Sequence, residues 1–153
     1  MAAAAGYSGT PLAKKLGITA CCRVHLRAAP PDWSDWVAPL PEGVQLHARL
    51  SALTDLVHLF ATQEAELARQ LQHLRASLRP DAVLWVSWPK KSAKQTTNQG
   101  TIQSANQSTK PAAVITEDRI RALALPLGFV DVKVCAVNEV WSGLKLVVRK
   151  VLR

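Results

Sequence analysis

Few side chains in this chain stand in a pattern that can do chemistry. His25, His47, His58 and His73 are not at metal-ligand spacing from one another. His25 and His58 fall on neighbouring predicted strands and could approach Cys22, but histidines satisfied within their strands account for them as well. Cys21 and Cys22 are adjacent, which is not the spacing of a redox Cys-x-x-Cys pair. Cys135 reads as a small core residue. No Ser-His-Asp order, paired-carboxylate site or P-loop can be argued from these spacings.

The residue types point to binding rather than catalysis. The run Ala82-Val-Leu-Trp-Val-Ser-Trp88 turns abruptly into Pro89, Lys90, Lys91 and Ser92. Two ammonium groups and a hydroxyl there can hold an anion, and the proline fixes the exit direction. A solvated strand exit explains the same residues without a ligand. Gly6, Tyr7, Ser8, Gly9 and Thr10 form a glycine-containing loop before a helix, where free amides can make an anion nest. Simple docking of that segment onto the domain accounts for it equally. Trp141 and Ser142 either line the same crevice as Lys90 or sit in a plain hairpin loop. Tryptophans beside cations can also stack on bases, and Trp33 and Trp36 remain open to that reading.

The elements that must position these residues follow from periodicity. Ala82–Trp88 is a short apolar run bounded by turn signals, which predicts a strand buried on both faces. Thr10-Pro11 predicts a helix start, with Thr10 as cap and Pro11 in the first helical position. Leu12 and Leu16 face one way, Lys14 and Lys15 suit the negative end, and Gly17 stops the helix. Residues 22–28 predict a first strand in which Arg23, His25 and Arg27 alternate with Val24 and Leu26. Its polar face is either solvated or covered by other parts of the chain. Trp33 and Trp36 share one face of a short helical turn. Residues 44–50 predict a half-exposed strand near an edge, and residues 55–61 a more buried one. Thr62 is placed to cap a helix whose stripe is Leu67, Leu71, Leu74 and Leu78. Thr116 opens a last helix with Ile120, Leu123, Ala124 and Leu127 inward, ending at Pro126 and Gly128. Residues 129–137 and 144–151 predict two strands joined by an extended loop over 138–143. Strands alternating with helices imply parallel pairing, and the closing pair implies an antiparallel edge.

Composition bounds the rest. With 153 residues, 48% hydrophobic and 20% charged, the chain suits a single soluble domain over 1–153. No apolar run approaches the roughly 20 residues that span a bilayer, so no membrane partner is expected. The odd count of three cysteines, with no secretory pattern at the start, points to reduced thiols in the cytoplasm. The net charge of +8 favours acidic partners, though the cations are spread along the chain. Residues 92–111 are polar with one large apolar residue, Ile102, and predict a mobile loop.

The order of elements is similar to the class I methyltransferase variant of the Rossmann-like fold, with a Gly-Phe pair (Gly128-Phe129) after the last helix and then a hairpin. The pattern is shortened by one helix and one strand after Leu50. The chain also resembles an uncharacterised bacterial family, a domain of unknown function. The matching pieces are Gly6-Tyr-Ser-Gly-Thr-Pro-Leu12, Lys15-Leu-Gly-Ile18, Trp85-Val-Ser-Trp-Pro-Lys-Lys91, Asp131-Val-Lys-Val-Cys-Ala136 and Trp141-Ser-Gly-Leu-Lys-Leu-Val147. That family carries no activity to transfer.

The methyltransferase resemblance implies S-adenosylmethionine, yet two of the three usual grips are missing. Where a glycine-rich turn would follow the first strand, the chain reads Arg27-Ala-Ala-Pro-Pro-Asp32. Its prolines remove amide donors and stiffen the backbone. Where an acid would bond the ribose, Arg49-Leu50-Ser51 supplies none. The third position, Thr62-Gln63-Glu64, is polar. The expectation is therefore a compact three-layer α/β domain that kept the methyltransferase scaffold and lost the cofactor grip. No cofactor is expected, with S-adenosylmethionine possible but disfavoured. It would bind a small anionic ligand or a protein without catalysis, near Pro89–Ser92, Ala29 and Pro30. The alternatives are a divergent methyltransferase and a nucleic-acid-binding module.

Overall fold

The structure, a computed structural model, describes residues 11–90 and 115–152. At its centre Trp85 lies fully buried in the strand β4 (Val83–Pro89), as the apolar run predicts. The neighbour β3 (Leu56–Phe60) is buried at every position. β3 pairs in parallel with β4 and with β1 (Arg23–Arg27), and β1 pairs in parallel with the short edge strand β2 (Gln45–His47). On the other side β6 (Trp141–Val148) runs antiparallel to β4, and β5 (Phe129–Ala136) antiparallel to β6. The six strands lie in the order β2-β1-β3-β4-β6-β5.

Helices cover both faces because alternate residues of β3 and β4 are apolar on both. On one face α3 (Glu64–Ser77) and α4 (Glu117–Ala124) bury Leu67, Leu71, Leu74 and Ile120 against Val57, Leu59, Leu84 and Val86. On the other, α1 (Leu12–Leu16) and α2 (Trp33–Val37) set Leu16 and Trp33 against Leu56, Phe60 and Trp85. Each fully buried leucine of the α3 stripe is worth about 1.5–3 kcal/mol of transfer free energy. Among the described residues no helix is long and apolar enough to cross a membrane.

Several local expectations shift. α3 is not capped by Thr62: Gln63 occupies the cap position, and its side chain makes no cap bond. The Ala61 amide still donates to Ser87 (3.0 Å), so the sheet pairing runs on to within one residue of Thr62. Thr116 does cap α4, accepting from the Arg119 amide. Pro11 sits one place earlier than predicted, at the flank of α1, where its carbonyl takes bonds from the Lys14 and Lys15 amides. Thr10 lies outside the described residues. β2 is only three residues long, and Leu46 is 47% exposed instead of facing a core, since no described element covers that side of the edge. The final hairpin is tighter than expected. Asn138 Oδ1 accepts from the Val140 and Trp141 amides, so Trp141, Ser142 and Gly143 belong to β6. The polar loop predicted over 92–111 lies outside the described residues.

Candidate functional site

The parallel strands β1, β3 and β4 deliver their carboxyl ends to one edge of the sheet. Pro89 ends β4 there, opposite Trp141 in the β6 register, and Trp88 pairs with Ser142. The Lys90 amide donates to the Val140 carbonyl at 2.7 Å. Pro89, Lys90, Trp141 and Ser142 are therefore brought together. Ala29 and Pro30 leave β1 at the same edge, two strands away with β3 between. Phe60, at the end of β3, bridges the gap on the α1–α2 face. Its ring meets Trp141 edge-on at 4.9 Å and stacks on His58 at 4.2 Å. Trp141 is thus half-buried packing on the core. Lys91 and Ser92, and the loop Gly6, Tyr7, Ser8, Gly9 and Thr10, lie outside the described residues.

The edge holds a cavity that the sequence reading did not single out. It measures about 340 Å³ and lies on the α3 side of the ends of β1 and β3, reaching Ala48 beyond β2. That is the switch point of the sheet: from β1 the chain goes first to β2 on one side, then to β3 on the other. Open α/β sheets place their ligands at this position because the diverging connections leave a crevice. His25, Arg27, Glu66 and Gln70 supply its polar wall. Arg27 Nη1 donates to Gln70 Oε1 at 2.7 Å, and Gln70 Nε2 donates to Glu66 Oε2 at 2.8 Å. Glu66 also pairs with Arg69. The Arg23, His25 and Arg27 alternation was the available signal. It reads as a solvated face until the short connection after Leu50 is seen to leave that side of β1, among the described residues, without its own helix.

His25 and His58 do not converge. The register pairs His25 with Val57 and His58 with Leu26, which sets the two rings on opposite faces of the sheet. Cys22 packs in the α1–α2 core, on the His58 side. Burial pushes the thiols of Cys22 and Cys135 up, so neither is a ready nucleophile.

His58 does meet a serine. Its Nε2 lies 2.7 Å from Ser87 Oγ, and both residues are fully buried. The pair resembles a nucleophile and its base, but the third partner decides otherwise. Trp33 Nε1 lies 3.0 Å from His58 Nδ1, and an indole nitrogen can only donate. Nδ1 must accept, so Nε2 carries the proton and donates to Ser87. A ring in that tautomer cannot take a proton from the serine. Burial also pushes the imidazole down to about 3. The arrangement holds α2 to β3 and β4.

No family model matches the sequence, and no curated protein matches it. Solved structures do match. Magnesium protoporphyrin IX methyltransferase from Synechocystis PCC 6803, solved with bound S-adenosylhomocysteine, superposes at TM-score 0.58 and 13% identity, over 90% of this chain and 78% of that one. The fold is methyltransferase-like. An S-adenosylmethionine-dependent methyltransferase from Aquifex aeolicus matches at TM-score 0.56 and 14% identity, over 89% of this chain and 87% of that one. A possible exported protein from Bordetella parapertussis matches at TM-score 0.59 and 15% identity, over 89% of this chain. This chain spans only 65% of that protein's length. Identities this low establish the scaffold alone.

The described residues do not fit S-adenosylmethionine in the manner of such scaffolds. The turn after β1 carries Ala28 with φ at 59°, the left-handed region that favours glycine, so a methyl group stands where the backbone would need to approach a ligand. Pro30 and Pro31 follow without amide donors. No acid stands at the end of β2, where Ala48 meets the cavity and Arg49-Leu50-Ser51 follow.

Proposed function

We propose that this chain is a methyltransferase-like domain that binds a small anionic ligand in the switch-point cavity without transferring a methyl group. Arg27 carries the reading: a guanidinium in the cavity wall, held in place by a neutral amide rather than a carboxylate. An incoming carboxylate or phosphate gains a charge-assisted bond there that Gln70 does not provide. The cavity volume suits a small metabolite, at the low end of the usual range of ligand sites. Pro89, Lys90 and Trp141 form the far rim of the same edge, and the Lys90 ammonium raises its positive potential, which assists capture of an anion. The stiff, glycine-free turn after β1 argues against the cofactor.

Calorimetry or ligand-detected NMR on the full chain tests this with acetate, inorganic phosphate and S-adenosylmethionine. Acetate or inorganic phosphate should bind, and Arg27→Gln should weaken that binding by about tenfold or more, the worth of a hydrogen bond to a charged group. Tight binding of S-adenosylmethionine that Arg27→Gln leaves unchanged would instead overturn this reading in favour of the divergent methyltransferase.

A further inference from the structure

The wall of the cavity contains two buried polar atoms with no partner among the described residues, His25 Nε2 and Arg27 Nε. They are complementary. His25 is 5% exposed, and its Nδ1 lies 3.0 Å from the carbonyl oxygen of His47 in β2. A carbonyl only accepts, so Nδ1 holds the ring proton and Nε2 is a bare lone pair. In an imidazole the two nitrogens point in widely divergent directions, so Nε2 faces away from that β2 carbonyl. Arg27 Nε, two residues on along the same face of β1, is always an N–H donor. An unsatisfied buried donor or acceptor costs about 1–3 kcal/mol. Here one of each stands beside a cavity, on neighbouring side chains.

We propose that the ligand of this site is a small anion bearing a hydroxyl next to its charged group, a 2-hydroxy acid or a hydroxylated phosphate ester. The hydroxyl oxygen accepts from Arg27 Nε, and its proton is donated to His25 Nε2. The charged group takes Nη2, which forks with Nε on one side of the guanidinium, while Nη1 keeps Gln70. Both orphaned atoms belong to residues that line the cavity, so a small side-chain adjustment presents them to the ligand. Glu66 does not repel the anion at full strength, because Arg69 and the Gln70 amide both engage it. His25 is then a specificity-determining residue: an anion lacking the hydroxyl leaves its lone pair unsatisfied. This rests on the anion-binding reading above and adds the chemistry that selects the ligand.

The test compares glycolate with acetate on the full chain, which differ by the hydroxyl. Glycolate should bind more tightly by roughly three- to tenfold, the range of one net hydrogen bond. The imidazole nitrogen spectrum of His25 should show the Nε2 signal moving with glycolate and staying still with acetate. In His25→Phe the glycolate-to-acetate ratio should fall towards one. Equal affinity of the two anions with a silent His25 signal overturns the hydroxyl proposal and leaves anion binding standing. Absence of binding by glycolate, acetate and inorganic phosphate alike overturns anion binding, and the hydroxyl proposal with it. If His25→Phe fails to fold, the nitrogen spectrum of the unaltered chain decides.

Discussion

His58 shows how a single proton position separates structure from chemistry. A histidine 2.7 Å from a serine invites a catalytic reading, and the indole of Trp33 removes it by donating to the other ring nitrogen. The same burial has a thermodynamic consequence. The ring titrates at about 3 in the folded chain because desolvation disfavours its charged form, whereas an unfolded imidazole titrates near 6.5. Between those values the unfolded state binds a proton that the folded state refuses. Stability should therefore fall as pH drops from about 6.5, by up to ~1.4 kcal/mol per pH unit from this group. Urea midpoints from pH 7 to 4.5 measure the slope, and His58→Asn should flatten it by up to one proton. Equal slopes in the two proteins would show that His58 does not control the acid limb. Its side chain is legible in the sequence only as a polar residue inside an apolar run; that Trp33 and Ser87 meet it depends on how α2 and β4 dock on β3.

The short elements survive through what they dock against. α1 has five residues, far below the length at which a helix holds in water by itself. Leu16 is fully buried, and its carbonyl accepts from Trp85 Nε1 at 2.7 Å inside the core. That bond ties the helix to the middle of the sheet. Trp85→Phe should cost about 1–3 kcal/mol for the orphaned carbonyl, in addition to the lost volume. The nearby Trp88, which faces the α3 layer, serves as comparison. Trp88→Phe should leave amide exchange at Gly17 and Ile18 slow, and Trp85→Phe should accelerate it. Equal acceleration in both variants would mean that the indole bond does not anchor α1. Local sequence signals served these elements unevenly. The stripe Leu67, Leu71, Leu74 was clear because a helix repeats its inward face every three to four residues. The cap assigned to Thr62 was not, because capping depends on where the strand lets go of the chain, and Gln63 takes that place.

Across the whole molecule the sheet is uneven. β3 and β4 are covered on both faces, whereas β2 has three residues, all at least partly exposed. Hydrogen exchange should rank the strands accordingly: amides of Val57 to Phe60 and Leu84 to Trp88 slowest, and those of Gln45 to His47 fastest by several orders of magnitude. Slow exchange across β2 would indicate that something covers that edge in solution. The shortened connection after Leu50 explains both the thin edge and the cavity, since among the described residues the side of β1 that carries His25 and Arg27 has no helix of its own. By itself the sequence determined the order of strands and helices and the parallel centre with its antiparallel close. Those follow from periodicity, which is a property of neighbours in the chain. Which side of β1 opens, which atoms remain without partners, and which nitrogen of His58 holds the proton were decided only by tertiary contacts. Register, face and docking bring together residues tens of positions apart, such as Arg27 with Gln70 and Trp33 with His58, and no local pattern encodes that meeting.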